Sequence, residues 1–315
     1  MEFAGFLGNR ELKARLSGSF AAGRASHAYL LCGPKGSGKR TLANILAAAF
    51  QCTEAAAPCG HCNQCRKVLG GIHPDVITVD DPEKKILPVD LIREARTDAF
   101  LRPNEGKRKI YVIPRGQDMN ENGQNALLKL IEEPPSYGVF LLLTDNAGKM
   151  LPTIRSRCAE LRLEPVTRQE ALTWLAERHP GESRETLDSA VFRSGGYLGQ
   201  AEELLRQGGM DPKTEEFVRA FGEKDRFALR RLLCSMEKMS RDKLGELLRQ
   251  WLDLTAEAMT VRSGLPGTAQ AVTIGRKRTL LELKAAADHL QKALQLCEAN
   301  VGTGHLCGWL AVRLS

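Results

Sequence analysis

The sequence predicts an α/β domain built on a parallel β-sheet, followed by all-helical segments. Three observations support this prediction. Short apolar runs alternate with helix-like segments up to about residue 163, a glycine-rich loop follows the first run, and strand-like runs cease after Pro165. Apolar runs without polar alternation indicate strands buried on both faces, which is typical of a parallel sheet covered by helices on each side.

Five apolar runs are predicted as the strands of this sheet. In chain order they are Ala28–Cys32, Val76–Val79, Ile110–Ile113, Val139–Thr144 and Ala159–Leu163. Thr167 then precedes Glu170 by three residues, the pattern of a helix cap, and the sequence beyond it is helical in pattern. The parallel-sheet domain is therefore predicted to occupy residues 1–163.

The helical remainder is predicted to contain a second boundary at Gln207–Gly209, because glycine ends helices and Pro212 follows as a helix starter. This boundary gives a small helical domain over 164–207 and a larger one over 208–315. Two apolar stripes predict packed helices in the larger domain. Their members are Leu244, Leu247, Leu248, Trp251 and Leu252 in one, and Leu280, Leu283, Ala287, Leu290 and Leu294 in the other.

The composition is that of an ordinary globular protein. Of 315 residues, 43% are apolar and 26% are charged, which disfavours disorder and a coiled coil. The longest nearly apolar stretch, Leu42–Phe50, is far shorter than the roughly 18 to 20 residues needed to cross a bilayer, and the charged N-terminus does not fit a signal peptide. We therefore expect a cytoplasmic protein. The formal charge of +7 permits a nucleic-acid partner without indicating one.

A phosphate-binding loop is predicted directly after the first strand. Residues 33–40 read Gly-Pro-Lys-Gly-Ser-Gly-Lys-Arg and match the pattern G-x-x-x-x-G-K-[ST] except at the last position. A strand, a glycine-rich turn and a helix aim backbone N–H groups and the positive helix end at phosphates. The candidate nucleotide-binding residues are Gly33, Gly36, Gly38, Lys39 and Thr41. The alternative is a tight strand-to-helix turn that only needs glycine.

Two losses predict that this loop does not support efficient ATP hydrolysis. Arg40 stands where a Ser or Thr hydroxyl would ligate Mg²⁺, and Thr41 is rotated about 100° around the helix from that position. The acids that hold Mg²⁺ and activate water should follow another strand, but Ile110–Ile113 continues into Pro114 and Arg115. Binding of ATP and Mg²⁺ at this site is left open, and we expect no ATPase activity from the isolated chain.

Four cysteines have the spacing of a metal site: Cys52, Cys59, Cys62 and Cys65. Four thiolates suit a closed tetrahedral Zn²⁺ site with no open position, so a structural role is predicted. The alternatives are free thiols without a metal, and His61 as a ligand in place of one cysteine. The other cysteines are predicted to be small buried apolar residues: Cys32, Cys158, Cys234, Cys297 and Cys307.

The first 163 residues carry several motifs of one family. They are His27-Ala28-Tyr29-Leu30, the cysteine cluster, Arg102-Pro103 through Tyr111, the helix motif from Asn125 to Pro135, and Ile154-Arg155-Ser156-Arg157-Cys158. On these motifs the chain resembles the AAA+ clamp-loader subunits of bacterial DNA polymerase III, most closely the delta-prime class. The resemblance implies an AAA+ P-loop domain with an inserted zinc module, a small helical lid, and a C-terminal helical collar that joins subunits in a heteropentameric ring.

The resemblance also implies a role and partners. Motor subunits of the family carry a nucleotide-sensing Arg in a lid motif like Gly-x-x-Arg, where this sequence has Gly199, and delta-prime subunits often have degenerate ATPase motifs. A largely non-hydrolysing subunit is implied, with tau/gamma and delta subunits, the sliding clamp and primer–template DNA as partners in the DNA polymerase (nucleotidyltransferase) holoenzyme. The alternatives are an active tau/gamma-like motor subunit and a stand-alone nucleic-acid module.

Arg157 matches the family's arginine finger, which reaches into the ATP site of a neighbouring subunit, so the resemblance implies a catalytic role in trans. Arg155 is the second candidate, and Thr144 matches a residue that senses the γ-phosphate in active relatives. Short basic clusters would suit a nucleic-acid module, but without interleaved aromatic residues they are predicted to be solvated faces. These clusters are Lys107–Lys109, Arg230–Arg231 and Arg276–Arg278.

Overall fold

The computed structural model describes residues 1–206, 211–265, 267–299 and 301–314. The chain forms two compact units, Met1–Glu203 and Leu204–Ser315. The predicted boundary after residue 163 lies inside the first unit, and the predicted break at Gln207–Gly209 lies outside the described residues. The division into three domains stays a prediction.

The first unit is built on a five-stranded parallel β-sheet. Its strands are β1 Ala28–Cys32, β2 Val76–Thr78, β3 Lys109–Ile113, β4 Gly138–Thr144 and β5 Ala159–Arg162. They lie in the order β2-β3-β4-β1-β5, and every neighbouring pair is parallel. The three central strands are buried throughout, whereas the edge strands β2 and β5 are partly exposed. The predicted α/β class is confirmed, and each strand falls on a predicted apolar run.

Helices pack on both faces of this sheet. The helices up to residue 206 are α1 Arg10–Ala21, α2 Lys39–Gln51, α3 Asn63–Leu69, α4 Val89–Ala99, α5 Glu121–Glu132, α6 Pro152–Arg155, α7 Arg168–Arg178, α8 Arg184–Arg193 and α9 Leu198–Arg206. Of these, α1 to α6 contribute buried residues to the two cores of the sheet. Alternate residues of β1 enter two different cores: Leu31 packs with Leu42 of α2, and Leu30 packs with Ile131 of α5. Helix α7 begins after Thr167, whose side chain forms the predicted capping box with Glu170.

The second unit is helical throughout its described part. Its helices are α10 Pro212–Gly222, α11 Arg226–Ser235, α12 Arg241–Arg262, α13 Ala269–Lys277, α14 Leu280–Glu298 and α15 Thr303–Arg313. The indole of Trp251 is completely buried and stacks on Phe217, with ring centroids 4.3 Å apart. The indole nitrogen donates to Thr214 Oγ1 at 3.1 Å, so the buried polar atom is satisfied.

The two predicted apolar stripes fall on α12 and α14. The first is confirmed, because Leu244, Leu247, Leu248 and Trp251 are buried and Leu252 packs partly buried against the same core. The second is wrong at Leu280, which is half exposed in the first turn of α14. The buried face of α14 is rotated from the predicted one and consists of Leu283, Ala286, Leu290, Ala293 and Cys297. Within the described ranges, no helix is long and apolar enough to span a membrane.

Candidate nucleotide pocket, metal centre and arginine segment

The predicted phosphate loop connects β1 to α2 at the carboxyl edge of the sheet. Gly36 and Gly38 have φ angles of +77° and +91°, in the left-handed region that favours glycine. A cavity of about 950 Å³ adjoins the loop, and its lining includes Gly36, Gly38, Lys39 and Thr41. Gly33 precedes the cavity, and its N–H donates to the Thr144 carbonyl at 3.2 Å. The structure thus gathers the predicted loop residues around one nucleotide-sized space.

The ammonium group of Lys39 is fully occupied by the protein itself. Its Nζ lies 2.6 Å from the Gly33 carbonyl, 2.8 Å from the Pro34 carbonyl and 2.6 Å from a carboxylate oxygen of Asp145. An ammonium group has three donors, and the Lys39 side chain is only 9% exposed. A phosphate at this position would have to displace Asp145 or the loop carbonyls.

The first turn of α9 lies directly against the phosphate loop. The N–H of Gly199 donates to the Gly36 carbonyl at 3.0 Å. A Cβ atom on Gly199 would stand 2.9 Å from Gly36 Cα, and one on Gly36 would stand 2.4 Å from the Gln200 nitrogen. Lys35 and Glu203 form an ion pair at 3.0 Å across the same contact. Gly199 therefore makes a backbone contact with the phosphate loop that leaves no room for a side chain unless the backbone shifts.

Arg115 occupies the place after β3 where an acid would hold Mg²⁺. Its guanidinium forms an ion pair with Asp80 at 2.7 Å and donates to the Asp81 and Lys84 carbonyls at 2.7 and 2.9 Å. The carboxylate of Asp118 lies 3.6 Å from the same guanidinium. These contacts hold Arg115 as a structural cation, and its neighbouring carboxylates are paired with it instead of being available to a metal.

Two further predicted positions lie at this edge of the sheet. Thr144 ends β4 completely buried, and its hydroxyl bonds to the backbone of Asn146 at 3.0 and 3.1 Å. This local turn satisfies the hydroxyl within the chain itself. Thr41 is exposed on α2. Asp145, which follows β4 and pairs with Lys39, was missed by the sequence analysis.

The four predicted metal ligands converge. The Sγ atoms of Cys52, Cys59, Cys62 and Cys65 all lie within 4.8 Å of one another. A tetrahedral Zn²⁺ site with Zn–S bonds of about 2.3 Å requires sulfur–sulfur separations of about 3.8 Å, and the Cys59 and Cys65 sulfurs are 4.0 Å apart. The donor set and its spacing therefore fit Zn²⁺. His61 is exposed, lies outside this cluster and contacts the Cys59 carbonyl through Nδ1.

Local structure presents the thiols to one point. Cys52 closes α2, and Cys62 caps the start of α3, where its sulfur accepts from the Cys65 N–H. Desolvation opposes ionisation of the Cys62 thiol, but hydrogen bonds from Thr53 and Cys65 lower its pKa to about 6. Burial raises the pKa of the Cys65 thiol to about 12. A bound cation would stabilise the thiolate form of both.

The buried carboxylate of Asp75, which the sequence analysis missed, stabilises the loop at residues 104–106 beside the metal centre. Asp75 accepts from the backbone N–H groups of Asn104, Glu105 and Gly106 at 2.6, 2.9 and 2.7 Å. Desolvation opposes the charge, yet these hydrogen bonds hold the pKa of Asp75 below its usual range. Lys67 of α3 pairs with Glu105 at 2.6 Å, so the cysteine module is joined to this loop.

Some of the basic residues predicted as solvated faces are structural instead. The Lys109 ammonium is buried and lies 2.9 Å from both the carboxylate and the carbonyl of Asp98. Lys107 donates to the Cys52 carbonyl at 3.1 Å. The Arg278 guanidinium stacks on Phe221 at 4.2 Å, and the side chain is only 12% exposed. The solvated-face prediction is wrong for Lys109 and Arg278, because carboxylates and an aromatic ring of the fold take up their charge.

Among the five isolated cysteines, four are buried as predicted, at positions 32, 158, 297 and 307. Cys234 is exposed, so the prediction is wrong there. It lies near the end of α11, on the side of that helix away from the buried leucines Leu229, Leu232 and Leu233.

The predicted arginine finger lies on an exposed segment after α6. The Arg157 side chain is 42% exposed, and its Nε lies 2.8 Å from Glu132 of α5. Its Nη1 also donates to the Thr153 carbonyl at 3.2 Å. Arg155 instead turns toward Glu160, 3.4 Å away. Cys158 is buried and fixes the end of the segment. The partner Glu132 was missed by the sequence analysis, although it belongs to the helix motif from Asn125 to Pro135.

Comparison with known proteins identifies the family. Residues 8–167 match the family model described as DNA polymerase III, delta subunit. The chain is 37% identical over 198 residues to the DNA polymerase III subunit delta' of Pseudomonas aeruginosa, covering 61% of this chain and 60% of that protein. It is 34% identical over 199 residues to the subunit gamma/tau of Mycobacterium tuberculosis, covering 62% of this chain and 34% of that protein.

Among solved structures, a gamma subunit-related protein from Thermotoga maritima covers 95% of this chain and 99% of its own, at 17% identity and a TM-score of 0.46. The matches to the delta' and gamma/tau relatives span less than two thirds of those proteins. The match to the family model covers just over half of this chain. This protein belongs to the DNA polymerase III delta subunit family.

Proposed function

We propose that this chain is a delta-prime-type subunit of the DNA polymerase III clamp loader, which does not hydrolyse ATP itself and supplies Arg157 to the ATP site of a neighbouring subunit. One contrast carries the proposal. Lys39, the cation of the chain's own phosphate loop, is enclosed by three internal acceptors, whereas Arg157 is exposed on an outer segment.

The chain's own pocket lacks the parts that hydrolysis needs. Phosphoryl transfer depends on a metal held by a hydroxyl and a carboxylate beside the phosphates. Arg40 and Arg115 stand at those two positions, and Arg115 is already bound to Asp80. The Gly36–Gly199 contact brings α9 onto the loop where the phosphates would lie. These features support a pocket that does not turn over ATP and argue against the tau/gamma-like motor alternative.

Arg157 has the properties of a finger acting in trans. An arginine that stabilises the transferred phosphoryl group from a neighbouring subunit accelerates hydrolysis by about 10³ to 10⁵, or roughly 4 to 7 kcal/mol. Such a role needs an exposed guanidinium on a fixed base. Buried Ile154 and Cys158 flank Arg157 and anchor its backbone in the core of the first unit.

The cysteine cluster is proposed to hold a structural Zn²⁺. Bound zinc would cross-link the end of α2 to α3 through four thiolates: Cys52, Cys59, Cys62 and Cys65. With four protein ligands, no position is left for water or substrate, so the ion would supply folding free energy and no reaction chemistry.

The partners follow from the proposed role. The first unit would contact tau/gamma and delta subunits in a heteropentameric ring, and the assembled ring would place a sliding clamp on primer–template DNA. The helical second unit would serve as the collar. A role in replication would place the chain in the cytoplasm, at the replisome. The structural contacts of Lys107, Lys109 and Arg278 speak against a stand-alone nucleic-acid module.

The test is the DNA-stimulated ATPase rate of a loader reconstituted with this chain and its tau/gamma and delta partners. We expect Arg157→Ala to lower the rate of the complex by about 10³ or more, as for other arginine fingers. Arg155→Ala is the matched control in the same segment and should stay within about twofold of the native rate, because Arg155 turns toward Glu160 of its own chain and losing so weak a pair costs little.

The isolated chain decides between this proposal and the motor alternative. We expect the chain alone to show no ATP turnover, with or without DNA. Turnover by the isolated chain that Lys39→Ala abolishes, together with an unchanged complex rate for Arg157→Ala, would identify a motor subunit and overturn the proposal.

A further inference from the structure

The arginine finger of the proposed function is held by a carboxylate of its own chain. Arg157 Nε lies 2.8 Å from a carboxylate oxygen of Glu132, and the two side chains are 42% and 43% exposed. The two residues come from different elements, since Glu132 ends α5 and Arg157 follows α6. The ion pair is therefore set by tertiary packing and not by the local spacing of one helix.

Buried contacts fix the two elements relative to each other. Gln124 of α5 is buried, and its side-chain oxygen accepts from the Leu151 N–H at 2.7 Å. Its amide nitrogen donates to the Lys149 carbonyl at 3.0 Å. Ile131, next to Glu132, packs in the same core as Ile154. The carboxylate is consequently presented to Arg157 by a rigid support.

The ion pair competes with phosphate for the same donors. A guanidinium binds a carboxylate or a phosphate through the same N–H groups, so Arg157 cannot make its full set of contacts to both. Solvent and salt weaken an ion pair that is this exposed. Its attraction shifts the equilibrium between paired and released Arg157 by only about two- to fivefold. The nucleotide of a neighbouring subunit, carrying several negative charges, can therefore displace Glu132.

We propose that Glu132 is a positioning residue that retains Arg157 on its own chain until the nucleotide of the neighbouring subunit takes it over. This inference rests on the proposed function of Arg157. In an assembly without DNA, Glu132 lowers the fraction of fingers that engage the neighbouring ATP. In the DNA-bound, fully engaged assembly the nucleotide holds Arg157, and Glu132 has no influence on the rate.

The test uses the reconstituted loader and four versions of this chain besides the native one: Glu132→Ala, Arg157→Ala, the double variant, and Glu133→Ala as the matched control. Glu133 is the neighbouring exposed glutamate and forms no ion pair among the described residues. We expect Glu132→Ala to raise the DNA-independent ATPase rate about two- to fivefold and to leave the DNA-stimulated rate unchanged. In the Arg157→Ala background the same change should have no effect, because Glu132 acts through Arg157.

The remaining outcomes overturn the inference in distinguishable ways. If Arg157→Ala leaves the DNA-stimulated rate intact, the proposed function fails and the inference fails with it. If Arg157→Ala lowers that rate but Glu132→Ala is neutral, or lowers both rates, only the retaining role is refuted. A rise that persists without Arg157, or that Glu133→Ala reproduces, would assign the effect to charge at the end of α5.

Discussion

The phosphate loop and the arginine segment each present one cation, and the fold treats the two in opposite ways. Lys39 is 9% exposed and meets two carbonyls and the carboxylate of Asp145. Arg157 is 42% exposed and contacts one exposed carboxylate that solvent screens, together with the Thr153 carbonyl. Sequence motifs predict both cations as phosphate ligands, but the residues around each cation determine whether it is available. The cation that remains a catalytic candidate is the one that does not line the chain's own pocket.

Metal removal should have the largest effect on stability. The effect should be confined to the region of the phosphate loop and should not reach the arginine segment. In Cys62→Ser the new hydroxyl can still cap α3, so the variant isolates the metal. We expect bound zinc to fall from about one per chain to near zero, and the free energy of unfolding to fall by more than about 3 kcal/mol. Metal analysis and urea unfolding measure the two quantities.

The matched control is Cys234→Ser, which changes an exposed thiol outside the cluster and should leave both quantities unchanged. Hydrogen exchange locates the effect: amides of α2 and α3 should exchange faster without the metal, and those of α5 and α6 should not. An equal increase in amide exchange in all four helices would show that the phosphate-loop region and the arginine segment are not independent.

Removing each cation should affect stability unequally. Lys39→Ala leaves two loop carbonyls and Asp145 without a buried partner, so we expect a loss of about 2 to 3 kcal/mol in the free energy of unfolding. Arg157→Ala removes an exposed pair and should cost less than about 1 kcal/mol. Urea unfolding of the isolated chain gives both values. Equal losses would contradict the distinction between a structural and an available cation.

Disturbing the contact between α9 and the phosphate loop should have a smaller effect on the free energy of unfolding. In Gly199→Ala the new Cβ meets the Gly36 backbone at 2.9 Å, which costs about 1 to 3 kcal/mol, while alanine in a helix gains roughly 0.5 to 1 kcal/mol over glycine. The net loss should be about 1 kcal/mol in thermal or urea unfolding. Gly181→Ala, at a position with open space, is the control and should be neutral or slightly stabilising. A stable Gly199→Ala protein would mean that the contact is not tight.

The sequence was sufficient for the class of the sheet, for the segments that form its strands and for the residues that share one local motif. Ala28–Cys32 and Val139–Thr144 are apolar without alternation because both strands are central, and the cysteines converge because α2 ends and α3 begins at the cluster. The partners Asp145 and Glu132 could not be predicted. Asp145 meets Lys39 only because β4 lies beside β1, and sequence patterns do not give strand order.

The same limit applies to the faces of helices and to charged clusters. The buried face of α14 differs from its predicted stripe because alanines and a cysteine, not only leucines, fill the space against α12. Lys109 belongs to a basic triplet in the sequence, yet it ends up buried against Asp98. In each case the deciding partner lies on a different element of the fold.

The smallest predicted effect concerns Arg155, the other arginine of the exposed segment. Arg162, and then Arg155, hold the pKa of Glu160 below its usual range through hydrogen bonds and charge. A carboxyl whose pKa is lowered in the folded state contributes stability above its unfolded pKa of about 4.5 and loses that contribution as the pH falls. Glu160→Gln should therefore cost no more than about 1 kcal/mol at pH 7.

The difference in unfolding free energy between the native chain and Glu160→Gln should stay constant from about pH 7 to pH 5 and shrink below that, as the native carboxyl takes up a proton. Urea unfolding of both proteins at each pH measures it, and comparison at equal pH cancels any loss of metal in acid. A difference that persists at pH 3 would assign the effect of Glu160 to packing. Arg155, whose side chain is 36% exposed against 42% for Arg157, would then be as free to leave its carboxylate partner as Arg157.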